Sequence, residues 1–206
     1  MITQKTVAVR IAIIFVSFFI SFSFSNAQSI ELTTGHSAAS LAETITGNGV
    51  TILNPVVNCA DSAVGKYSMS AIPNFSGEKG IVLSTGNIFD TRGPNNSQST
   101  TTSWERPGDP IIKKITGYPN FDACILEFDV VPVGDTLKFD FIFASEEYHE
   151  YVGTPFNDVF GFFISGPGIQ GDPGLDGLEN IAHIPNTNQY VGINTVNKGN
   201  PNTGFP

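Results

Sequence analysis

A two-residue alternation of apolar and polar side chains between residues 124 and 143 limits the folds open to this chain. From 124 to 130 the even-numbered residues are apolar; from 137 to 143 the odd-numbered residues are apolar, with Lys138 and Asp140 between them. Alternate residues share a face in a β-strand but not in an α-helix. Because only residues 131–136, which contain the turn sequence "PVGD", separate the two runs, the sequence predicts an antiparallel hairpin with one face on the core.

Further strand candidates follow one another along the chain, separated by turn residues. They are "GVTILNPVVN", in which Pro55 indicates an edge or a bend, and then "KGIVLSTG", "DVFGFFISG", "NIAHIP" and "YVGINTVN". The run "DVFGFFISG" is apolar on both faces, so we expect a central strand there. The sequence therefore predicts an all-β fold, a two-sheet β-sandwich of the jelly-roll kind with long loops.

One segment near the N-terminus has the signals of a short helix. In "SAASLAETITGNG", Ser37 is a candidate N-cap, Leu41 and Ile45 would share one face, and Gly47 or Gly49 would end the helix. No internal repeat or interdomain linker interrupts the chain. We therefore expect residues 28–206 to form a single domain.

The first 27 residues have the pattern of a secretory signal peptide. Lys5 and Arg10 precede an apolar run from Ile11 to Phe24, and Ala27 lies at a small-residue cleavage pattern. That run is shorter than the roughly 20 apolar residues of a membrane span. Cleavage removes two of the 10 basic residues and none of the 19 acidic ones, so the net charge changes from −9 to −11. The sequence predicts an exported protein that does not bind nucleic acid, since phosphate contacts need a basic face.

Two cysteines, Cys59 and Cys124, lie in the exported part of the chain. An oxidising compartment allows them to form a disulfide. Sequence spacing alone does not decide between that disulfide and two buried free thiols.

An unusual concentration of oxygen-bearing side chains lies in "ASEEYHEYVGTPFNDV", between two predicted strands. Ca²⁺ takes six to eight oxygen ligands without a fixed spacing rule, so the segment is a candidate calcium site. The expected ligands are Glu147, Asn157 and Asp158, joined by Asp109 from the long preceding loop. The alternative without a ligand is a solvated acidic loop, in which water weakens the repulsion between carboxylates.

A carbohydrate-active hydrolase is a second hypothesis for the same loop. Paired carboxylates act as acid and base in glycoside hydrolysis, and the pair would be Glu147 with Glu146, Glu150 or Asp158. The sequence contains no HExxH, GxSxG or Gly-rich phosphate loop. We therefore expect a non-catalytic protein.

Aromatic side chains on the predicted loops are candidates for ligand contact. Exposed aromatic rings stack on sugar rings, whereas buried ones belong to the core. Trp104, Tyr148 and Tyr151 are the candidates for binding a glycan or a surface protein.

Four segments resemble the choice-of-anchor L domain, a family of bacterial extracellular and surface proteins that is frequent in Bacteroidota. They are "GIVLSTG", "GDP", the run from "LEFDVVPVGD" through "FASEEYHEYV" and "FNDVFGFF" to "ISGPG", and "NIAHIPNTNQYVGINTVN". The resemblance covers roughly Leu41 to Asn197. Its motif falls on Ser145 to Tyr148, Glu150, Tyr151 and Asn157 to Phe160.

The resemblance implies a module of large adhesin-like or secreted proteins, with no enzymatic activity established for the family. Its members carry different anchoring tails, whereas this chain ends at "KGNPNTGFP" instead of further strands and an "SxVFxEA"-like ending. We therefore expect a C-terminally truncated member whose only membrane association would be through an anchor that is absent here. The function expected is binding or adhesion at the cell surface, with Ca²⁺ as a stabilising ion; an architectural spacer role is the third hypothesis.

Overall fold

Two antiparallel sheets hold most of the regular structure. The computed structural model describes residues 30–69, 78–93, 97, 102–147 and 151–196, so the predicted signal peptide lies outside the described residues. The first sheet has the strand order β1-β3-β4, and the second pairs β2 with β5. The bounds are β1 Ile30–Thr33, β2 Val50–Asn58, β3 Val64–Met69, β4 Lys79–Leu83 and β5 Ile125–Pro132.

Shorter elements complete the described chain. Two-residue strands pair antiparallel, β6 with β9 and β7 with β8. Their bounds are β6 Val159–Phe160, β7 Phe163–Ile164, β8 Glu179–Asn180 and β9 Val191–Gly192. The helices are α1 Ala38–Thr44, a 3₁₀ helix at Ile88–Arg92, α2 Pro110–Thr116 and α3 Ile193–Val196. The prediction of an all-β, sandwich-like fold is confirmed.

The helix α1 begins where the sequence predicts. Ser37 is its N-cap, and the Ser37 hydroxyl accepts a hydrogen bond from the Ser40 backbone N–H at 3.2 Å. Leu41 is fully buried, but Ile45 lies at the C-cap and is 43% exposed. Of the two residues expected to share one face, only Leu41 is buried, and the helix ends at Thr44, before the predicted Gly47 or Gly49.

Two groups of buried side chains form the core. The first lies where α1 meets the three-stranded sheet, and the second lies beneath the C-terminal strands. The first group contains Leu32, Leu41, Ala42, Ala63, Val64 and Ile88, and the second contains Val152, Leu175, Ala182, Ile184, Val191 and Ile193. The second group includes Val152, which lies between Ser145 and Asp158 in the chain.

Asn180 is the buried polar side chain at the centre of the C-terminal region. Its Oδ1 accepts hydrogen bonds from the backbone N–H groups of Phe162 and Ala182, at 3.2 and 3.1 Å. Its own backbone N–H donates to Asp172 Oδ2 at 2.9 Å. A buried amide is stable only when its polar atoms are paired, so Asn180 fixes how β7 and β8 meet.

The partner of β5 is β2, not the run from 137 to 143, so the predicted hairpin was wrong. The β2–β5 register ends with Asn58 opposite Ile125, and the next pair of positions, Cys59 and Cys124, forms a disulfide with Cα atoms 4.3 Å apart. The bend expected at Pro55 is present, as a register shift between Leu53 and Val56.

The run from 137 to 143 has no assigned strand, and its aromatic rings contact the segment around β6 and β7 instead. The Phe139 ring stacks on Phe162 with centroids 4.0 Å apart, and the Phe141 ring lies 4.8 Å from that of Phe160. In place of the predicted hairpin, Phe139 and Phe141 therefore pack on the aromatic rings of Phe162 and Phe160.

Two further strand predictions were wrong in extent. The run "DVFGFFISG" forms β6 and β7 with a break at residues 161–162, not one central strand. In "YVGINTVN" the strand β9 ends at Gly192, and Ile193–Val196 form α3. In "NIAHIP" the paired residue beyond β8 is His183, which bridges to Tyr190.

Replacing both cysteines by serine should destabilise the chain. The disulfide closes a loop between positions 65 residues apart, and loops of this size restrict the unfolded state by about 2–4 kcal/mol. Urea unfolding of Cys59→Ser/Cys124→Ser should show that loss relative to the unmodified chain. Dithiothreitol should lower the stability of the unmodified chain only; an equal effect on both proteins would contradict the assignment.

Candidate functional site

The acidic loop, defined here as residues 145–158, is closed at its base by Ser145. The Ser145 hydroxyl donates a short hydrogen bond to Asp158 Oδ2 and accepts one from the Glu147 backbone N–H at 3.1 Å. The two ends of the loop are thereby joined. Asp158 is fixed in turn by the β6–β9 pairing, in which its carbonyl accepts from the Ile193 N–H at 3.1 Å.

Gly192 is required opposite the base of the loop. A Cβ atom at this position would lie 3.0 Å from the Asp158 carbonyl oxygen and 3.1 Å from the Tyr190 ring and the Val159 side chain. These distances are tighter than ordinary van der Waals contacts, so a larger residue would push β9 away from Asp158.

Asn194 holds the far side of the acidic loop. Its Oδ1 accepts from the Gly153 N–H at 2.6 Å, and its Nδ2 donates to the Thr154 carbonyl at 2.9 Å. Its backbone N–H donates to Asn157 Oδ1 at 2.9 Å. Sequence reasoning missed Asn194, which lies in α3 two residues beyond β9; the available signal was an Asn after a short apolar run, since Asn is a common turn residue.

Glu147 is the electrostatically unusual residue of the loop. Burial raises the pKa of Glu147 to about 7, with further contributions from the neighbouring carboxylates of Asp158 and Glu146. Its Oε2 atom is buried and has no hydrogen-bond partner among the described residues. A buried oxygen without a donor is costly when it carries charge. Among the described residues, no positively charged group compensates the Glu147 carboxylate.

The other predicted metal ligands have different surroundings. Asn157 lies in the loop, but its Oδ1 accepts from Asn194 and its Nδ2 contacts the Tyr190 hydroxyl at 3.4 Å. Asp109 is the N-cap of α2, where its Oδ1 accepts from the Ile111 and Ile112 N–H groups at 2.7 and 2.9 Å. Among the described residues, no hydrogen bond or ion pair joins Asp109 to the acidic loop.

The position of Asp109 is fixed by the following turn. Asn120 Oδ1 accepts from the Asp109 N–H at 2.6 Å, and Asn120 Nδ2 donates to the Asp109 carbonyl at 2.9 Å. The sequence signals of α2, namely Pro110 at the first turn and Gly117 at the C-cap, were present but were not used in the prediction. The structure thus gives Asp109 a capping role that accounts for its carboxylate.

The predicted binding aromatics are separated in the structure. Tyr148 lies outside the described residues, as do His149 and Glu150. Tyr151 is half-buried and meets the Phe156 ring edge-on at 5.4 Å, and Phe156 is 61% exposed.

Trp104 is half-buried on the long loop. Its backbone N–H donates to Asp122 Oδ2 at 3.1 Å, and its indole Nε1 is buried without a partner among the described residues. More exposed aromatic rings nearby in sequence are Tyr118 and Phe121, at 52% and 71%. Within the described part of the acidic loop, Phe156 is the more exposed aromatic ring, and sequence reasoning did not select it.

The grouping of His, Cys, Asp and Glu side chains in the described part of the chain bears on a metal site. Within it, no three His, Cys, Asp or Glu side chains are grouped closely enough to hold a metal by themselves. Any cation at the acidic loop would therefore need hydroxyl, amide or carbonyl oxygens in addition to carboxylates.

The sequence model of the choice-of-anchor L domain family matches residues 29–205. The chain belongs to this family. As a choice-of-anchor L domain it is an extracellular, surface-associated module, and the acidic loop lies inside the matched range. No curated protein and no solved structure matches this choice-of-anchor L domain. Where the domain is described, none of its helices has the length and apolar character of a membrane span.

Without metal ions, Glu147 should make the stability of the domain fall as the pH rises. The folded state binds the Glu147 proton more tightly than the unfolded state, because the pKa of Glu147 is about 7 in the folded state and 4.5 in the unfolded state. The contribution of this proton to the free energy of unfolding is therefore complete below about pH 4.5 and is lost as the pH rises to about 7. In EDTA, Glu147→Gln should be more stable than the unmodified chain at pH 8, by on the order of 1 kcal/mol after allowance for solvent screening. Urea unfolding at pH 4, 6 and 8 measures this; a constant difference would contradict it.

Asn194→Ala should loosen the acidic loop while the sheets remain folded. The substitution removes both side-chain hydrogen bonds to Gly153 and Thr154, each worth about 1 kcal/mol. Amide hydrogen exchange should become roughly tenfold faster at residues 151–157, with β2 and β5 unchanged. Asn188→Ala, at an exposed position of the 185–188 turn, is the control; equal effects of both variants would show that Asn194 does not hold the loop.

Proposed function

We propose that this chain is an exported, non-catalytic binding module whose acidic loop takes up Ca²⁺. The ion would bind Glu147 and Asp158 and keep the loop in one conformation. The ordered loop would then present its aromatic side chains to a glycan or to another surface protein.

The observation that carries the proposal is the unpaired Glu147 Oε2. This oxygen is buried, lacks a donor among the described residues, and lies close enough to Asp158 and Glu146 for both to raise the pKa of Glu147. A cation compensates all these charges at once, whereas a proton neutralises only one carboxylate. Oxygen-rich, irregular loops are the usual ligands of Ca²⁺.

The proposed coordination uses oxygens already gathered at the base of the loop. Glu147 and Asp158 would supply carboxylates, and the Ser145 hydroxyl, which bonds to Asp158 Oδ2 and to the Glu147 backbone N–H, would supply a third oxygen. Asn157 is held beside Asp158 by Asn194. Loop carbonyls and water would complete the six to eight ligands that Ca²⁺ takes. Asp109 is left out of this set, because its carboxylate caps α2.

The proposed partner surface lies beside this site. Tyr151 and Phe156 form an edge-to-face pair within the acidic loop, and Phe156 is mostly exposed. An exposed ring supported by a second ring is suited to stacking on the apolar face of a sugar or on a side chain of a protein partner. Ordering of the loop by Ca²⁺ would lower the entropy cost of that contact.

A carbohydrate hydrolase is the second candidate, and one observation favours it. A general acid must be protonated at neutral pH, and the raised pKa of Glu147 meets that condition beside the carboxylate of Asp158. This candidate requires turnover of a polysaccharide that is lost in Glu147→Gln while the fold is retained. The binding proposal requires no turnover.

Thermal unfolding in EDTA and in millimolar Ca²⁺ tests the proposed site. A ligand at 100 times its Kd stabilises the folded state by about 2.7 kcal/mol, which for a chain of this size raises Tm by roughly 5–10 °C. Glu147→Gln and Asp158→Asn should abolish the shift. Glu127→Gln, an exposed change on β5, should retain it.

Two outcomes would contradict the proposal. No Ca²⁺-dependent shift in the folded, unmodified chain would leave the acidic loop as solvated surface or a catalytic pair. An equal shift in Glu147→Gln and Glu127→Gln would place any calcium site elsewhere.

A further inference from the structure

The turn that joins α1 to β2 contains the one Asn–Gly pair of the sequence, Asn48–Gly49. When Gly follows Asn, the next backbone nitrogen can approach the side-chain carbonyl closely, because Gly has no Cβ to obstruct it. The structure leaves this approach open. Asn48 and both flanking glycines are exposed, and a Cβ placed on Gly47 or Gly49 would meet no other described residue within 4 Å.

Side-chain hydrogen bonds divide the exposed asparagines of the described residues into two groups. Asn54 donates to Asp129 Oδ2 at 2.7 Å, and Asn58 accepts from the Arg106 guanidinium at 2.7 Å. The exposed side-chain amides without a partner in the described part of the chain are those of Asn48, Asn186 and Asn188. These three amides can turn towards the backbone without breaking a hydrogen bond.

The backbone N–H that follows each of these asparagines distinguishes them. The N–H after Asn186 donates to the Ile184 carbonyl at 3.0 Å. The N–H after Asn188 donates to the Thr187 hydroxyl at 3.1 Å. The Gly49 N–H has no acceptor among the described residues. Because a bonded N–H must first leave its acceptor before its nitrogen can attack, the Gly49 nitrogen is the most available of the three.

We propose that Asn48 deamidates spontaneously through attack by the Gly49 backbone nitrogen. The nitrogen loses its proton to hydroxide and forms a bond to the side-chain carbonyl carbon of Asn48, and the bond from that carbon to the side-chain nitrogen breaks with release of ammonia. Water then opens the five-membered succinimide at either of its carbonyls, which leaves aspartate or isoaspartate at position 48. The net reaction consumes one water, releases one ammonia and needs no oxidant, reductant or enzyme.

The reaction changes both the charge and the backbone of the turn. The new carboxyl group is ionised at neutral pH, so the net charge of the chain changes from −9 to −10. In the isoaspartate product the main chain runs through the former side chain and is one carbon longer. That carbon lies directly before Gly49, whose carbonyl accepts from the Val133 N–H at 2.8 Å beside the β2–β5 pairing. Chains that have reacted therefore differ from new chains at the beginning of β2.

Incubation of the purified, folded chain at pH 8 and 37 °C, followed by anion-exchange chromatography and tandem mass spectrometry of a digest, measures the reaction. A more acidic form should accumulate that is heavier at position 48 by about 1 Da, since OH replaces NH₂. We expect Asn48 to react on the order of tenfold faster than Asn188, which corresponds to a barrier lower by about 1.4 kcal/mol. The rate should be higher at pH 8 than at pH 6, because the attacking nitrogen must lose its proton.

Two exposed substitutions and an unfolded sample make the test specific. Asn48→Gln should remove the acidic form, because attack would have to close a less favourable six-membered ring, whereas Asn188→Gln should keep it. In guanidinium chloride the rate at Asn188 should rise, since unfolding releases the N–H that follows it, and the rate at Asn48 should change little. An acidic form that persists in Asn48→Gln, equal rates at Asn48 and Asn188 in the folded chain, or slowing of Asn48 by folding of about tenfold or more would each overturn the proposal.

Discussion

The hydrogen bond between Ser145 and Asp158 is the contact on which the arrangement of the acidic loop depends. It closes the loop at its base, and the same hydroxyl receives the Glu147 N–H, so the Glu147 side chain starts from a fixed point next to Asp158. Asn194 fixes the opposite side through Gly153, Thr154 and Asn157. In the loop held in this way, burial of Glu147 raises its pKa to about 7, and the neighbouring carboxylates of Asp158 and Glu146 add to the effect.

Features that depend on local chemistry could be predicted from the sequence. The N-cap at Ser37 follows from the hydrogen-bonding capacity of its hydroxyl, and the bend at Pro55 follows from the geometry of the proline ring. The all-β class follows from the alternation of side chains. All three causes act within a few residues. The partner of β5 could not be predicted in this way. In the structure β5 pairs with β2 in a register that adjoins the Cys59–Cys124 disulfide, and the run from 137 to 143 contacts the rings of Phe160 and Phe162; these partners are distant in sequence.

The candidate site was predictable in its residues but not in its geometry. The sequence shows that Glu147 and Asp158 lie in one loop, yet the burial of one carboxylate oxygen depends on packing that has no local signature. Asp109 illustrates the opposite case, since an Asp before Pro is as typical of a helix N-cap as of a metal ligand. Asn194, 36 residues beyond Asp158 in the chain, reaches the loop only because β6 pairs with β9.

Equilibrium dialysis against radioactive Ca²⁺ at pH 8 tests the central claim most directly, because it counts bound ions without reference to stability. The account predicts one ion per chain in the unmodified protein, and none at the same free concentration in Glu147→Gln. Absence of binding to the folded, unmodified chain at millimolar Ca²⁺ would contradict it. So would an undiminished ion count in Glu147→Gln.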